Sequence, residues 1–142
     1  MQSHGDFHPR NIFIGRDAPE SGEYVTAIDF GSSCQLPRAF DVGTFPAQYI
    51  SMFFREPEVQ RHAPADIFLQ TYLDRTDDLE EDLPAHVDLF KARTCLSILY
   101  YLAKIQMGDT EEFWRILVEA ERSLAAVAAG QRVEAEHHAH RH

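Results

Sequence analysis

Three polar side chains near the start of the sequence have the types needed to hold a divalent cation and to accept a proton. The segment His4-Gly5-Asp6-Phe7-His8-Pro9-Arg10-Asn11 carries an Asp and an Asn beside two His, and a second segment, Asp29-Phe30-Gly31, follows it. Mg²⁺ prefers oxygen ligands and takes only one or two carboxylates from a protein. The amide oxygen of Asn11 and the carboxylate of Asp29 fit that preference. Asp6 fits a different role, in which a carboxylate orients a hydroxyl group and receives its proton.

The residues between these two segments predict a β-hairpin. Residues 11–14 form a short β-prone run that Gly15 closes, residues 24–28 form a second run, and residues 16–23 are rich in turn formers. A hairpin returns the end of its second strand to the start of its first strand. The pattern therefore predicts that Asn11 and Asp29 lie near each other. Either segment alone would be typical of an ordinary turn or strand end, whereas the two together favour an active site.

The spacing matches a known kind of phosphoryl-transfer site. Kinase catalytic loops have the pattern His-x-Asp-x-x-x-x-Asn, with Asp-Phe-Gly further along the chain. With the later segment Phe40-Asp41-Val42-Gly43, the sequence resembles the aminoglycoside phosphotransferase and choline kinase superfamily. Gly5, where protein kinases have Arg, and His8 both favour this group over the protein kinases. The motifs that carry the resemblance span residues 4 to about 45.

The resemblance implies a role for each residue of the motifs. Asp6 would be the catalytic base, and Asn11 and Asp29 would bind Mg²⁺ and thereby the phosphates of ATP or GTP. Asp41 would begin the next helix and support the catalytic loop. His4 and His8 would shape the loop and take no direct part in the chemistry. The favoured role for each is a structural one, in which the ring is hydrogen-bonded to the backbone.

The sequence departs from this family in the part that holds the nucleotide. Members have an N-terminal lobe with a phosphate-covering loop and a strand Lys, but the glycines of this chain lack the close spacing of such a loop. Its two lysines, Lys91 and Lys104, fall in a helical pattern. We therefore expect a C-terminal catalytic lobe only, with little or no kinase activity by itself. Two alternatives remain open: a truncated remnant or binding module, and one half of a split kinase that another polypeptide completes.

Composition limits the partners. The chain has 142 residues, 44% of them hydrophobic, and a net charge of −10. A negative charge argues against nucleic acid, which requires clustered Lys and Arg, and against an anionic membrane surface. The expected substrate is a small molecule with a hydroxyl group, which the sequence does not identify further: an aminoglycoside, a choline-like alcohol, a sugar or an amino acid. Cys34 and Cys95 have no metal-binding spacing, which together with the absence of a signal peptide predicts a cytoplasmic location.

The predicted fold class is α+β, mostly α: a protein-kinase-like C-terminal lobe over 1–133, with a loop and hairpin at 4–31 and a helical part at 40–130. The apolar run at 40–54 is predicted to be broken by Pro46 and to be helical from about Phe45, and another helix is predicted to begin at Pro64. An acidic linker at 77–82 separates these from the two final helices.

The two final helices have clear sequence signals. One is predicted from Pro84 to about Met107, and the other begins after a cap at Asp109 and ends at Gly130. The apolar stripe predicted for the first is Val87, Phe90, Thr94, Ile98, Tyr101, Leu102 and Ile105. The stripe predicted for the second is Phe113, Ile116, Leu117, Ala120, Leu124 and Val127. Residues 134–142 are predicted to be a disordered tail, and its four histidines leave metal binding as the alternative.

Overall fold

The structure, a computed structural model, describes residues 1–141, with the backbone alone for 131–138. It is mostly helical with a small β part, which is compatible with the predicted α+β class. The strands are β1 (Gln2–Ser3), β2 (Ile12–Gly15), β3 (Tyr24–Ala27) and β4 (Cys34–Gln35). The helices are α1 (Ala39–Met52), α2 (Pro57–His62), α3 (Ala65–Arg75), α4 (Leu83–Lys104) and α5 (Glu111–His140). Short 3₁₀ turns occupy Pro9–Asn11 and Phe30–Ser32.

Each of the two small sheets is a pair of antiparallel strands. β2 pairs with β3, with Ile12 opposite Ala27 and Gly15 opposite Tyr24, so the predicted hairpin is present. β1 pairs with β4, with Ser3 opposite Cys34. This pair ties the start of residues 4–11, called the catalytic segment after the loop they resemble, to the chain that leaves the hairpin. The sequence does not reveal this second pair, because strands of two residues carry no detectable periodicity.

The helix α1 differs from its prediction. It begins at Ala39 and runs through Pro46 to Met52 without a break, so the predicted start near Phe45 and the predicted break at Pro46 are wrong. A proline lacks the N–H that would bond to the carbonyl four residues earlier. Pro46 is buried, as are Ala47 and Ile50 beyond it, and packing of α1 on α4 holds the turn in helical form.

The core lies where α1, α4 and α5 meet. Its main cluster is Ala47, Ile50, Cys95, Ile98, Leu99, Leu102, Ile116 and Ala120. Tyr101 and Ile105, which the sequence placed on the buried stripe of α4, are 59% and 43% exposed, and Leu124 of α5 is 45% exposed. The predicted stripe fails because α4 packs against both α1 and α5, so its buried positions, which include Ala92, Cys95 and Leu99, do not follow a single stripe. Burial raises the pKa of the Cys95 thiol to about 11.

Gly43 of α1 lies directly against the backbone of α4. A Cβ at this position would lie 2.6 Å from the carbonyl oxygen of Val87 and 2.9 Å from the backbone nitrogen of Lys91. Both are backbone atoms of α4, which cannot move without moving the helix. The absence of a side chain at Gly43 therefore sets the distance between the two helices.

We expect Gly43→Ala to lower the free energy of unfolding by about 1–3 kcal/mol, the usual cost of overpacking, although Ala is the better helix former. Urea unfolding monitored by circular dichroism measures the change. Gly130→Ala is the matched control, because its Cβ would meet only Ala85 Cβ at 3.9 Å. Equal stabilities for the two variants would contradict the proposed close contact.

The ends of α5 also differ from the prediction. Thr110, and not Asp109, provides the cap: its Oγ1 accepts a hydrogen bond from the Phe113 N–H at 3.3 Å and donates one to the Met107 carbonyl at 2.8 Å. The backbone of α5 continues through Gly130, where the sequence predicted its end, to His140. The predicted disorder of 134–142, and with it the domain boundary, stays a prediction, because the side chains of 131–138 and the whole of residue 142 lie outside the described residues.

Candidate active site

The catalytic segment is held to the helical core by the side chain of Asp41. This residue lies in the first turn of α1. Its Oδ2 accepts a hydrogen bond from the His4 N–H at 2.7 Å, and its Oδ1 accepts one from the Gly5 N–H at 3.1 Å. Both carboxylate oxygens are therefore engaged by consecutive backbone donors, and charge-assisted bonds of this kind are stronger than neutral ones. Asp41 thus fixes the backbone immediately before Asp6.

His4 joins the catalytic segment to the end of the hairpin. Its Nε2 lies 2.7 Å from the carbonyl oxygen of Ile28, and its Nδ1 accepts a hydrogen bond from the Asp6 N–H at 3.2 Å. An imidazole that accepts at Nδ1 carries its proton on Nε2, so Nε2 donates to the Ile28 carbonyl. The ring also packs against Phe30, with 4.6 Å between ring centroids. His4 is buried and touches the backbone on both sides of the site.

Gly5 allows the catalytic segment to approach the chain that follows the hairpin. Its φ is +86°, a conformation that favours glycine. A Cβ at this position would also collide with the carbonyl oxygen of Ser32. The small residue between His4 and Asp6 is therefore required both by the backbone angle and by the space.

The remaining contacts centre on Asn11, which is buried. Its Nδ2 lies 2.9 Å from the carbonyl oxygen of Asp6 and 3.2 Å from Nε2 of His8. Its own carbonyl accepts a hydrogen bond from the Ile28 N–H at 2.9 Å. Because Asp29 directly follows Ile28, Asn11 and Asp29 lie at the same end of the hairpin.

Asp6 and Asp29 present carboxylates that solvent reaches. The Asp6 side chain is 48% exposed, and its Oδ2 is 3.6 Å from Nε2 of His8. Asp29 is exposed and has a φ of +63°, in the left-handed region that Asp and Asn tolerate better than most residues. The backbone of Asp6 is thus held by hydrogen bonds at both its N–H and its carbonyl, while its side chain stays accessible to solvent.

The residue types at this end of the hairpin suit Mg²⁺. With Nδ2 of Asn11 turned toward Asp6 and His8, its Oδ1 is the end left for a cation, and Asp29 supplies a carboxylate. Oxygen donors of this kind, few in number, fit an ion that keeps several waters and binds substrate phosphates. Within the described part of the chain, no group of three or more His, Cys, Asp or Glu side chains is placed to hold a metal ion. The fit therefore depends on one carboxylate and one amide.

A comparison with known protein families shows the family of the chain. The model of the Phosphotransferase enzyme family matches residues 3–85. The chain belongs to this family. A search of curated proteins found no match, and neither did a search of solved structures.

The family match extends well beyond the motifs. It begins at Ser3 of β1, covers the catalytic segment, the hairpin and α1–α3, and ends at Ala85 in the first turn of α4. The two lysines of the chain lie outside it, because Lys91 and Lys104 are both in α4. Lys91 is also engaged elsewhere, with its Nζ 3.2 Å from Oε2 of the buried Glu119. Neither lysine occupies a strand, so neither takes the phosphate-binding role that a strand Lys has in kinases.

Aromatic residues that the sequence pattern did not single out support the backbone of this candidate site. Phe7, next to Asp6, packs on Phe45 of α1 with 5.1 Å between centroids, and Phe45 packs on Phe68 of α3 at 4.4 Å. This row of rings anchors the catalytic segment to two helices. The apolar run at 40–54 was visible in the sequence, but its contact with Phe7 depends on the crossing of α1 and α3.

A cavity of about 560 Å³ lies beside the site but does not contain its reactive groups. Arg10 of the catalytic segment lines it together with residues of α1, α4 and α5, whereas Asp6, Asn11 and Asp29 do not. The hairpin that carries the proposed metal ligands is itself open to solvent. Its most exposed apolar residues are Phe13, Ile14 and Val25, and Phe30 follows directly after it, each at least 57% exposed. The proposed reactive groups therefore lie on an open face of the described chain.

Within the described residues, no helix is both long enough and apolar enough to cross a membrane.

Proposed function

We propose that this chain supplies the catalytic half of an ATP- or GTP-dependent phosphotransferase acting on a hydroxyl group of a small molecule in the cytoplasm. The observation that carries the proposal is the state of Asp6. Its backbone is fixed through His4 and Asn11, and its carboxylate is half exposed. A carboxylate held in place yet open to a substrate is what a catalytic base requires.

In the proposed reaction, the acceptor hydroxyl donates a hydrogen bond to the Asp6 carboxylate. The hydroxyl oxygen bonds to the γ-phosphorus of the nucleotide as its proton passes to Asp6. The bond from the γ-phosphorus to the bridging oxygen breaks, and the electron pair leaves with the nucleoside diphosphate. When Mg²⁺ is bound, it neutralises charge on the phosphate oxygens. Asn11 and Asp29 would hold it, and their roles are to present Oδ1 and a carboxylate at one end of the hairpin.

The proposed enzyme needs a nucleotide-binding segment that is not part of residues 1–142. Phosphoryl transfer depends on positioning, and an active kinase site covers the nucleotide phosphates. In this chain, Lys91 is paired with Glu119, and the hairpin beside the proposed metal ligands exposes several large apolar side chains. Such a surface is suited to burial against another polypeptide segment. A longer form of the protein or a separate chain could provide that segment. The second arrangement is the split kinase, which this exposed surface favours over a remnant without a partner.

Metal binding tests the proposal. We expect the chain to bind Mn²⁺, used as a paramagnetic substitute for Mg²⁺, and Asp29→Asn to weaken the binding by roughly 10-fold, since it removes the one charged ligand proposed. Asn tolerates the left-handed φ of Asp29, so the backbone should not change. Titration followed by electron paramagnetic resonance gives the affinity, both for this chain and for a version extended upstream.

Asp17→Asn is the matched control for this titration. Asp17 is an exposed carboxylate in the loop between β2 and β3, away from the end of the hairpin that carries Asn11. Its replacement should leave the Mn²⁺ affinity unchanged. Absence of Mn²⁺ binding in both forms of the wild-type protein would refute the proposed function, as would equal effects of the two substitutions.

A further inference from the structure

His8 differs from every other buried polar side chain in the described part of the chain. Its Nδ1 is buried and has no hydrogen-bond partner, and it is the one buried side-chain nitrogen or oxygen there in that state. The other ring nitrogen does have a partner, because Nε2 lies 3.2 Å from Nδ2 of Asn11. A buried donor without a partner destabilises the fold. A residue whose only function was to fill space next to Asp6 would not need one.

The contact with Asn11 determines which way its side-chain amide faces. Nδ2 of Asn11 is 2.9 Å from the carbonyl oxygen of Asp6. A flipped amide would place Oδ1 against that carbonyl, and two acceptors at this distance repel each other. The NH₂ group therefore faces Asp6, and one of its two N–H bonds is used there. The other N–H points to Nε2 of His8.

This orientation sets which nitrogen of a neutral His8 ring carries the proton. Nε2 of His8 must offer a lone pair to the Asn11 N–H, so a neutral ring carries its proton on the buried Nδ1. The nearest carboxylate oxygen, Oδ2 of Asp6, is 3.6 Å from Nε2, which is too long for a hydrogen bond. The geometry thus pairs Nε2 with the amide and not with the catalytic carboxylate.

We infer that His8 is a positioning residue, which accepts a hydrogen bond from Nδ2 of Asn11 and so holds Oδ1 in the orientation that can bind a divalent cation. The inference about the cation rests on the proposed function. Without His8, only the Asp6 carbonyl would hold the amide, and its second N–H would lose its acceptor. Residues that orient a metal ligand commonly change metal affinity by 10-fold or more when they are replaced.

Three substitutions separate this role from packing. His8→Leu removes the acceptor and the unpaired Nδ1–H together. His8→Gln places a carboxamide oxygen at about the position of Nε2, and His8→Asn carries the same group on a side chain one methylene shorter, which does not reach Asn11. We expect His8→Leu and His8→Asn to weaken Mn²⁺ binding by roughly 10-fold, and His8→Gln to remain near wild type. A second readout is the melting temperature, which His8→Leu should leave unchanged or raise.

A measurement on the wild-type protein tests the orientation without any metal. The ¹⁵N chemical shifts of the His8 ring distinguish a protonated nitrogen from one that carries a lone pair. We expect a protonated Nδ1 and an unprotonated Nε2. The opposite tautomer would overturn the inference whatever the variants show, so the test does not depend on how well they fold.

The outcomes distinguish this inference from the proposed function. If the wild-type protein binds Mn²⁺ and His8→Leu binds it equally well, the inference is wrong and the proposed function stands. The inference would also be wrong if His8→Leu lowered the melting temperature and His8→Gln restored neither the melting temperature nor the Mn²⁺ affinity. That result is expected of a residue that serves only for packing. If the wild-type protein binds no Mn²⁺, the proposed function fails, and the ring shifts still decide whether His8 orients the amide.

Discussion

Asp6→Asn should reduce kcat for phosphoryl transfer by about 10²–10⁴-fold, the range that general-base catalysis contributes. Asn keeps the size of the side chain and can still accept a hydrogen bond from a hydroxyl group. It cannot take up the proton. The backbone of Asp6 should not move, because its N–H and carbonyl are held by His4 and Asn11. We therefore expect a large loss of kcat, with a melting temperature close to that of the wild type.

The assay for this prediction uses the form of the protein that includes the proposed nucleotide-binding segment, with steady-state kinetics on hydroxyl acceptors. Asp17→Asn is again the control, since it removes one exposed carboxylate from the same hairpin without touching Asp6. Retention of full kcat by Asp6→Asn would exclude Asp6 as the base. A parallel loss of kcat in Asp17→Asn would show that the effect comes from net charge.

Asp41→Ala should lower the free energy of unfolding by about 2–4 kcal/mol, because it removes the acceptor of two charge-assisted hydrogen bonds. The His4 and Gly5 N–H groups would lose their partners, and His4 is itself buried. Release of these two residues should also displace Asp6, so kcat should fall together with stability. Urea unfolding with an unchanged m-value measures the first effect.

Two variants make the Asp41 prediction specific. Asp41→Asn keeps one acceptor oxygen, so its stability should lie between those of the wild type and Asp41→Ala. Asp66→Ala removes an acidic residue from the first turn of α3, where its carboxylate is exposed. It should lower the free energy of unfolding only by the interaction with the helix dipole, about 0.3–1 kcal/mol. Equal losses in Asp41→Ala and Asp66→Ala would mean that the contacts with His4 and Gly5 contribute nothing.

The sequence predicted the hairpin for reasons that lie within it. The β-prone runs, the turn-forming residues between them and the glycine that closes the first strand are all local signals. The positions of Asn11 and Asp29 followed from the hairpin, and the backbone hydrogen bond between Asn11 and Ile28 agrees with that placement. Errors arose where long-range packing opposed a local signal. Pro46 should end a helix, yet the buried face of α1 carries the helix through it.

The proposed chemistry rests on residue type and spacing. Asp6, Asn11 and Asp29 are the polar residues proposed to act, and the requirements of Mg²⁺ and proton transfer restrict which residue types can serve. The tertiary structure alone decided how these groups are supported. Asp41 lies far along the chain from His4, and only the packing of α1 brings its carboxylate to the two N–H groups. Which way the Asn11 amide faces, and which nitrogen of His8 it meets, likewise depend on the folded loop. Residue type and spacing show which groups are present. The direction of a hydrogen bond depends on atomic positions to within a few tenths of an ångström, and only the folded chain sets those positions.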